Sequence, residues 1–298
     1  TEQGALPVHR FLYIWPDRYS IMGHARALEA DVRLRPLSFL LLPLFLISAF
    51  FTLYRVARRQ KSEAIYVHWV IPNGPVAAWV AALRRIPFII SLHGSDIYLA
   101  KKNHLFGNVA RSIFQRAAGV TACSPELHAA ALSLGAPANT LLLPWGANPE
   151  LFSPEKRSST LRERLGIEPE ALVILAVGRM VYKKGFNILL KALPQVLKIN
   201  PNIHLILGGD GALRGELEQQ AKQLNLHDKV SCAGRIPWNE MPAYLASGDI
   251  FCLPSILDQA GNLDGLPTVL PEAMASGAAV IASDIGGVRL VVQTDQNG

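Results

Sequence analysis

Two acidic residues stand eight positions apart in the stretch LPSILDQAGNLDGLPTVLPEAMASGAAVIASDIGG, which covers residues 253–287. They are Asp264 and Glu272, and Glu272 is the only ionisable residue between Leu266 and Ala282. Acidic side chains are almost never fully buried without a partner. Since its neighbours are apolar, we predict that Glu272 lies in a packed helix for a functional reason.

Two prolines indicate where this helix begins. Pro267 and Pro271 both suit an opening turn, where the missing N–H of proline is tolerated, so Glu272 is expected near the positive end of the helix dipole. Asp264 lies in the Gly-rich approach, where backbone N–H groups could receive an anion. A nucleotide-sugar fits such a pocket, because carboxylates accept hydrogen bonds from hydroxyls. The alternative is a surface Asp264 and a Glu272 that only caps the helix.

A second group of residues could bind phosphate. The buried strand predicted at Leu172–Val177 is followed by Gly178-Arg179 and, five residues after Arg179, by Lys184-Gly185. A strand that ends in glycine, with two cations before the next helix, has the outline of a phosphate clamp. Hydrogen bonds to charged groups contribute roughly 1.5–3 kcal/mol each. Lys183 is predicted to face solvent.

The segment DGLPTVLPEAMASG resembles the signature of the retaining, GT-B-fold glycosyltransferases of family 4, in which two glutamates are separated by seven residues. This resemblance implies that Asp264 contacts hydroxyls of the donor sugar and Glu272 the ribose of the nucleotide. Asp264 is one methylene shorter than the glutamate of the family. The family also has a GR-x4-KG element, and the resemblance implies that Arg179 and Lys184 hold the donor diphosphate.

The same resemblance assigns further residues. HGSD is similar to an HG-x-D loop at the junction of acceptor and donor, which implies that His93 and Asp96 act at that junction. The alternative is that the two residues only pack in the core or cap a helix. No second His or carboxylate stands at ligand spacing, so no metal site is predicted, and the family generally needs neither a divalent ion nor a cofactor. The other residues implied at the nucleotide-sugar site are Gly178, Gly208, Gly209, Gly211, Arg235, Leu266 and Thr268.

Strands that alternate with helices predict parallel α/β sheets, with ligands beyond the carboxyl ends of the strands. We predict an acceptor-binding domain over residues 1–150, a charged linker over 151–170 and a nucleotide-sugar-binding domain over 171–298. The resemblance implies GT-B, two Rossmann-like doubly wound domains facing a cleft. Val8–Ile14 is predicted as a strand. Because the chain starts with Thr1 and ends at Gly298 without a closing element, it is interpreted as truncated at both ends, with the first strand missing.

Charge is distributed unevenly. Residues 1–165 carry a formal charge of +9 and residues 166–298 one of −3, which together give the net charge of +6. A basic first half favours phosphates or an anionic membrane surface as a neighbour, with ordinary solvated charge as the alternative; no nucleic-acid partner is predicted. Three scattered cysteines and the lack of a secretory signal predict a cytoplasmic protein, with the inner face of the cell membrane as a second location.

The segment Leu37–Tyr54 contains 18 residues without a charge and is followed by Arg55, Arg58, Arg59 and Lys61. Its length would permit a short membrane span. A span would separate the strand at Val8–Ile14 from the later strands of its sheet, so a buried helix and a helix in a membrane interface are the two other interpretations. The basic residues that follow it favour anionic lipid in the last case.

The predicted function is retaining transfer of a sugar from a UDP- or GDP-linked donor to a glycan or lipid-linked acceptor. Two alternatives stay open. The first is a protein that binds nucleotide-sugars without transferring them, since Asp264 replaces a glutamate. The second is a nicotinamide-dependent enzyme that uses GGDGA at residues 208–212.

Overall fold

The computed structural model describes residues 7–22, 28–30, 33–34, 36–257 and 265–298. The chain divides into a first unit, Thr1–Leu143, and a second unit, Pro144–Gly298. Residues 151–170, predicted as a linker, are structured and belong to the second unit. Arg162 is buried there and donates hydrogen bonds to the carbonyl oxygens of Ser247 and Ala171, so this segment packs against the rest of the second unit.

The first unit contains one parallel sheet and a short antiparallel pair. Strands β3 to β6 are parallel and neighbour one another in chain order, and β1 pairs with β2. The elements are β1 Leu28–Ala30, β2 Arg33–Leu34, α1 Pro36–Arg59, β3 Ile65–His68, α2 Asn73–Arg84, β4 Phe88–Leu92, α3 Ser95–Lys102, α4 His104–Phe114, β5 Gly119–Ala122, α5 Pro125–Ser133 and β6 Leu141–Leu142.

Buried apolar strands account for this sheet. Ile90, Leu92 and Val120 are almost completely buried in β4 and β5, as expected for a parallel sheet covered by helices. Ser124 caps α5, because its hydroxyl accepts a hydrogen bond from the Leu127 N–H at 3.2 Å, as serine commonly does at the start of a helix.

The strand predicted at Val8–Ile14 is wrong, since this segment is not part of any strand. The rings of Phe11 and Tyr13 pack against Phe45 of α1, with centroids 5.4 and 5.5 Å apart. The Ser48 hydroxyl, also on α1, donates to the Leu12 carbonyl at 2.7 Å. The aromatic composition that favoured a strand is therefore explained by packing on a helix.

Helix α1 is long, apolar and mostly exposed. Its most apolar stretch of 18 residues has a mean hydropathy of 2.2, and 22% of that stretch is buried in the protein. By length and composition alone, the helix could cross a membrane. Its buried residues are Ser38, Leu41, Ala49 and Ala57. The interpretation as a buried helix is therefore wrong, because these four are the only residues of α1 that the described part of the chain buries.

The second unit contains a five-stranded parallel sheet in the order β11-β10-β7-β8-β9. Its elements are α6 Ser159–Arg164, β7 Leu172–Val177, α7 Phe186–Ile199, β8 Ile203–Gly208, α8 Arg214–Gln223, β9 Val230–Gly234, α9 Met241–Ser247, β10 Ile250–Leu253, α10 Val269–Ala275 and β11 Ala279–Ala282. Leu190, Leu205 and Leu217 lie in its apolar core. Both units thus have the predicted α/β class, with every strand of the two larger sheets parallel.

Candidate functional site

The loops that follow β7 and β8 are joined at the carboxyl edge of the second sheet. The Gly178 N–H donates to the Gly208 carbonyl at 3.0 Å, and the Met180 N–H donates to the Asp210 carbonyl at 2.9 Å. The Leu213 N–H in turn donates to the Met180 carbonyl at 3.0 Å. Ligands of open α/β sheets bind at this edge, so the two loops form one rigid floor where a ligand is expected.

Glycine is required where these loops touch. Gly209 has φ +131°, and a Cβ there would collide with the Gly178 carbonyl oxygen. A Cβ on Gly211 would lie 2.5 Å from the Met180 carbonyl oxygen, and one on Gly208 would lie 2.5 Å from Ile236 Cδ1. The structure therefore brings Gly178, Gly208, Gly209 and Gly211 together at this edge of the sheet.

Lys184 lies beside this floor. It ends the 3-10 helix Tyr182–Lys184 and is only 7% exposed. A Cβ on Gly178 would lie 3.3 Å from Lys184 Cε, so the aliphatic part of the lysine crosses directly over that glycine. Gly185 has φ +68°, and a Cβ there would overlap the Pro254 carbonyl oxygen that follows β10. The lysine is therefore positioned by close backbone packing between the ends of β7 and β10.

Lys183 is buried, which corrects the prediction that it faces solvent: its exposed fraction is 8%. Its carbonyl oxygen accepts a hydrogen bond from the Ile256 N–H at 2.8 Å. The segment Tyr182–Lys184 thus lies against the chain that follows β10, and both lysines are covered as a result. A turn position next to a glycine gave no indication of this long-range contact.

Ser255 is a residue of this site that the sequence did not identify. It lies between Pro254 and Ile256, the two residues that contact the lysine segment, and it is 3% exposed. Its hydroxyl oxygen is buried without a hydrogen-bond partner within the described part of the chain. A serine in a loop carries no sequence signal, so only its burial identifies it as a polar group available to a ligand.

Glu272 lies in α10, after Pro271 in the first turn as predicted. It is half-buried between the buried Leu270 and Ala273, and this burial raises the pKa of the Glu272 carboxyl to about 7. The acid is thus poised to change its charge near neutral pH. The N-terminal approach to α10 is tied to the end of β11, because the Gly287 N–H donates to the Gly265 carbonyl.

The remaining predicted residues of the second unit are dispersed along the same sheet edge. Leu266 is 5% exposed and Thr268 is exposed at the start of α10. Arg179 and Arg235 are exposed after β7 and β9. Asp264 lies outside the described residues, so the pairing of two acids stays a prediction. Among the described residues, no three His, Cys, Asp or Glu side chains are grouped so that they could hold a metal ion.

In the first unit, Asp96 links the ends of two strands. Its carboxylate accepts hydrogen bonds from the N–H groups of Val70 at 2.8 Å, Gly94 at 3.0 Å and His93 at 3.3 Å. Complete burial raises the pKa of Asp96, while these backbone hydrogen bonds act in the opposite direction. Asp96, which is 3% exposed, therefore holds the loop after β3 against the loop after β4. These hydrogen bonds fix the position of His93.

His93 forms a pair with His68 that the sequence did not reveal. His68 Nδ1 lies 2.8 Å from His93 Nε2, and the Trp69 ring lies 5.0 Å from the His93 ring between centroids. Burial and the neighbouring His68 lower the pKa of His93 to about 4. His93 is therefore neutral at pH 7, so one of its ring nitrogens carries a proton and the other is an acceptor. His68 ends a neighbouring strand, and only strand order could have predicted this contact.

The lowered pKa of His93 predicts a loss of stability in acid. The unfolded chain binds a proton with a pKa near 6.5 and the folded chain with a pKa of about 4, so the free energy of unfolding falls as pH decreases through this window. We expect His93→Gln to remove this pH dependence, which lowers the free energy of unfolding by on the order of 1–2 kcal/mol between neutral pH and about pH 4.5. Urea unfolding followed by tryptophan fluorescence measures it, with exposed His227→Gln as the control. Parallel slopes for wild type and His93→Gln would contradict the prediction.

Comparisons with known proteins cover both units. Residues 158–298 match the family model of glycosyl transferases group 1, and residues 8–146 match that of a glycosyl transferase 4-like domain. The chain is 31% identical over 231 residues to the putative teichuronic acid biosynthesis glycosyltransferase TuaC of Bacillus subtilis, which corresponds to 76% of this chain and 54% of that protein. The chain thus spans about half the length of this relative.

Two further similarities concern a relative and a solved structure. A GDP-mannose-dependent alpha-(1-6)-phosphatidylinositol monomannoside mannosyltransferase of Mycobacterium tuberculosis is 31% identical over 258 residues, 82% of this chain and 64% of that protein. The crystal structure of Anabaena Alr3699/HepE in complex with UDP-glucose matches with a TM-score of 0.64 and 26% identity, over 87% of this chain and 68% of that one. Structural similarity of this kind identifies the fold as GT-B. Both halves of the chain resemble glycosyltransferases, and these similarities support a transferase.

Proposed function

We propose that this chain is part of a retaining glycosyltransferase that moves a sugar from a UDP- or GDP-linked donor to a glycan or lipid-linked acceptor. The solved relative contains UDP-glucose and the mycobacterial relative is named as GDP-mannose-dependent, which supports a nucleotide-sugar donor and leaves the base open between the two. The second unit would bind the donor and the first unit the acceptor, in the cytoplasm.

One observation carries this proposal: Lys184 crosses Gly178 beside two glycine loops at the carboxyl edge of the second sheet. The leaving group is a nucleoside diphosphate, so the largest requirement is stabilisation of the negative charge that develops as it departs. Cations fixed before the reaction stabilise this charge without reorganisation. Lys184 and Arg179 would supply this positive charge, and we propose that no divalent metal or other cofactor is needed.

The reaction needs no protein nucleophile in this proposal. The bond between the anomeric carbon and the diphosphate oxygen breaks, the acceptor hydroxyl forms the new bond on the same face, and its proton passes to the departing diphosphate. Asp264 would accept hydrogen bonds from the sugar hydroxyls and Glu272 from the ribose. His93, neutral at pH 7, would steady the oxocarbenium-like centre through its ring or its backbone.

A thermal-shift screen against UDP- and GDP-linked sugars tests the proposal. A ligand at about 100 times its Kd stabilises the folded chain by roughly 2.7 kcal/mol. We expect either the UDP-linked or the GDP-linked sugars to stabilise the chain in this way in the presence of EDTA. Binding without transfer or hydrolysis, even in Asp264→Glu, would favour a binding protein. NAD binding that survives Lys184→Ala would favour a nicotinamide enzyme.

The contact between Gly178 and Lys184 leads to a prediction of its own. Gly178→Ala would place a Cβ 3.3 Å from Lys184 Cε, so the lysine must shift by a few tenths of an ångström. We expect donor affinity to fall by about fivefold, corresponding to roughly 1 kcal/mol. Isothermal titration measures it, with Gly215→Ala as the matched control because nothing lies within 4 Å of a Cβ at that site. Equal affinities in the two variants would contradict the prediction.

A further inference from the structure

Helix α1 exposes a continuous apolar stripe. Leu40, Leu44, Ile47 and Phe51 are spaced by four, three and four residues, which places them on one helical face, and they are 73, 47, 56 and 60% exposed. The buried residues of the same helix lie on another face, at Leu41, Ala49 and Ala57. The stripe therefore lies on the opposite side of α1 from the residues that pack into the described part of the unit.

The apolar surface continues onto α2. Trp79 and Leu83 of α2 are 47 and 63% exposed. Together with Ile47 and Phe51 of α1 they line a groove of about 520 Å³, whose other lining residues are also apolar. Exposed apolar surface of this extent, contributed by two packed helices, commonly marks an interaction site.

The same helical face becomes basic toward the C-terminal end of α1. Arg55, Arg58 and Arg59 line a second groove of about 510 Å³ with Tyr54, and Phe51 belongs to both grooves. All three arginines are exposed. No ion pair joins them to an acidic residue within the ranges that the structure describes. An apolar groove thus leads directly into a cationic one.

We propose that this surface, formed by the exposed faces of α1 and α2, docks the protein on an anionic phospholipid bilayer. The apolar side chains would enter the boundary between headgroups and acyl chains, while the three arginines contact lipid phosphates. This is the arrangement of an amphipathic helix that lies in a membrane interface. A span is disfavoured, because Leu41, Ala49 and Ala57 are buried within the unit. A second copy of the same surface is disfavoured because the two grooves are lined by apolar residues, a tyrosine and arginines, with no acidic side chain among them to pair with the arginines.

Vesicle binding tests the proposal on the 298-residue chain. We expect cosedimentation with vesicles of phosphatidylcholine and phosphatidylglycerol, and much weaker binding to phosphatidylcholine alone. Replacing Arg55, Arg58 and Arg59 with glutamine is expected to weaken binding to the mixed vesicles by about 100-fold, the equivalent of about 1 kcal/mol for each arginine. The charge-matched control replaces Lys191, Lys198 and Lys222, which are exposed on the second unit, and is expected to bind as the wild type does.

The apolar part has a separate pair of variants. Ile47→Ser with Phe51→Ser is expected to reduce binding at least tenfold, whereas Leu105→Ser with Ile199→Ser, which are also exposed, is expected to leave it unchanged. Brominated acyl chains should quench tryptophan emission in the wild type and less in Trp79→Phe. All variants should retain the nucleotide-sugar thermal shift, which separates this proposal from the proposed function.

Three results would overturn the proposal. One is equal binding to neutral and anionic vesicles. Another is vesicle binding that the α1 variants retain. The third is an absence of binding to anionic vesicles. A dimer in sedimentation that Ile47→Ser with Phe51→Ser dissociates would then assign the surface to a second copy of the chain.

Discussion

Replacing Lys184 with methionine is expected to raise the Kd of the nucleotide-sugar by about 10- to 100-fold, because a hydrogen bond to a charged group contributes roughly 1.5–3 kcal/mol. Methionine keeps an unbranched stem to cover Gly178, which the lysine stem crosses, while it removes the ammonium. The loss should therefore reflect charge and not packing. Isothermal titration with the donor identified by the thermal-shift screen measures it.

The control for this variant is Lys191→Met, which removes an exposed lysine from α7 of the same unit. It is expected to bind the donor with the affinity of the wild type. Urea unfolding without ligand checks that Lys184→Met remains folded. If Lys184→Met folds normally and binds the donor as tightly as Lys191→Met does, Lys184 does not contact the diphosphate and the proposed clamp is wrong.

Donor affinity is expected to rise about tenfold between about pH 6 and pH 8, because Glu272 has a pKa of about 7 in the free protein. A carboxylate is a stronger acceptor for ribose hydroxyls than a carboxylic acid is, so the bound state should favour the ionised form and lower the pKa of Glu272. Binding then releases a proton, and affinity increases with pH until Glu272 is fully ionised. The diphosphate of a nucleotide-sugar has no group that titrates in this range.

Titration in two buffers of different ionisation enthalpy measures the released proton, which should be about half a proton per donor near pH 7. Glu272→Gln should bind more weakly than the wild type at about pH 8 and show no dependence on pH across the window. The pKa of His93 is about 4, so this residue does not contribute there. An unchanged pH dependence in Glu272→Gln would exclude Glu272 as the ribose acceptor.

Strand β7 could be predicted from the sequence, because a parallel strand is buried on both faces and therefore appears as a short apolar run. The prediction at Leu172–Val177 matches the structure residue for residue. Similarly, Gly178, Arg179 and Lys184 could be singled out from their spacing, because the turn that we propose binds phosphate is a local feature. The glycines of the β8 loop followed from the resemblance for the same reason.

Long-range packing decided the features that the sequence could not. Val8–Ile14 and α1 are both rich in apolar residues, yet the first packs its rings on α1 and the second exposes most of its surface. Composition records how apolar a segment is and not what covers it. The burial of Lys183 by the chain after β10 belongs to the same class of contact.

The sequence by itself determined the α/β class and the parallel strands, and it singled out the glycines and cations that we propose bind phosphate, since each of these features depends on neighbours within a few positions. Only the tertiary structure decided that His68 contacts His93, that Ser255 is a buried hydroxyl and that Arg55 continues an exposed apolar stripe. Strand order, loop contacts and helix orientation bring these residues together. Local propensity would allow many other arrangements equally, and the free energy of packing selects among them.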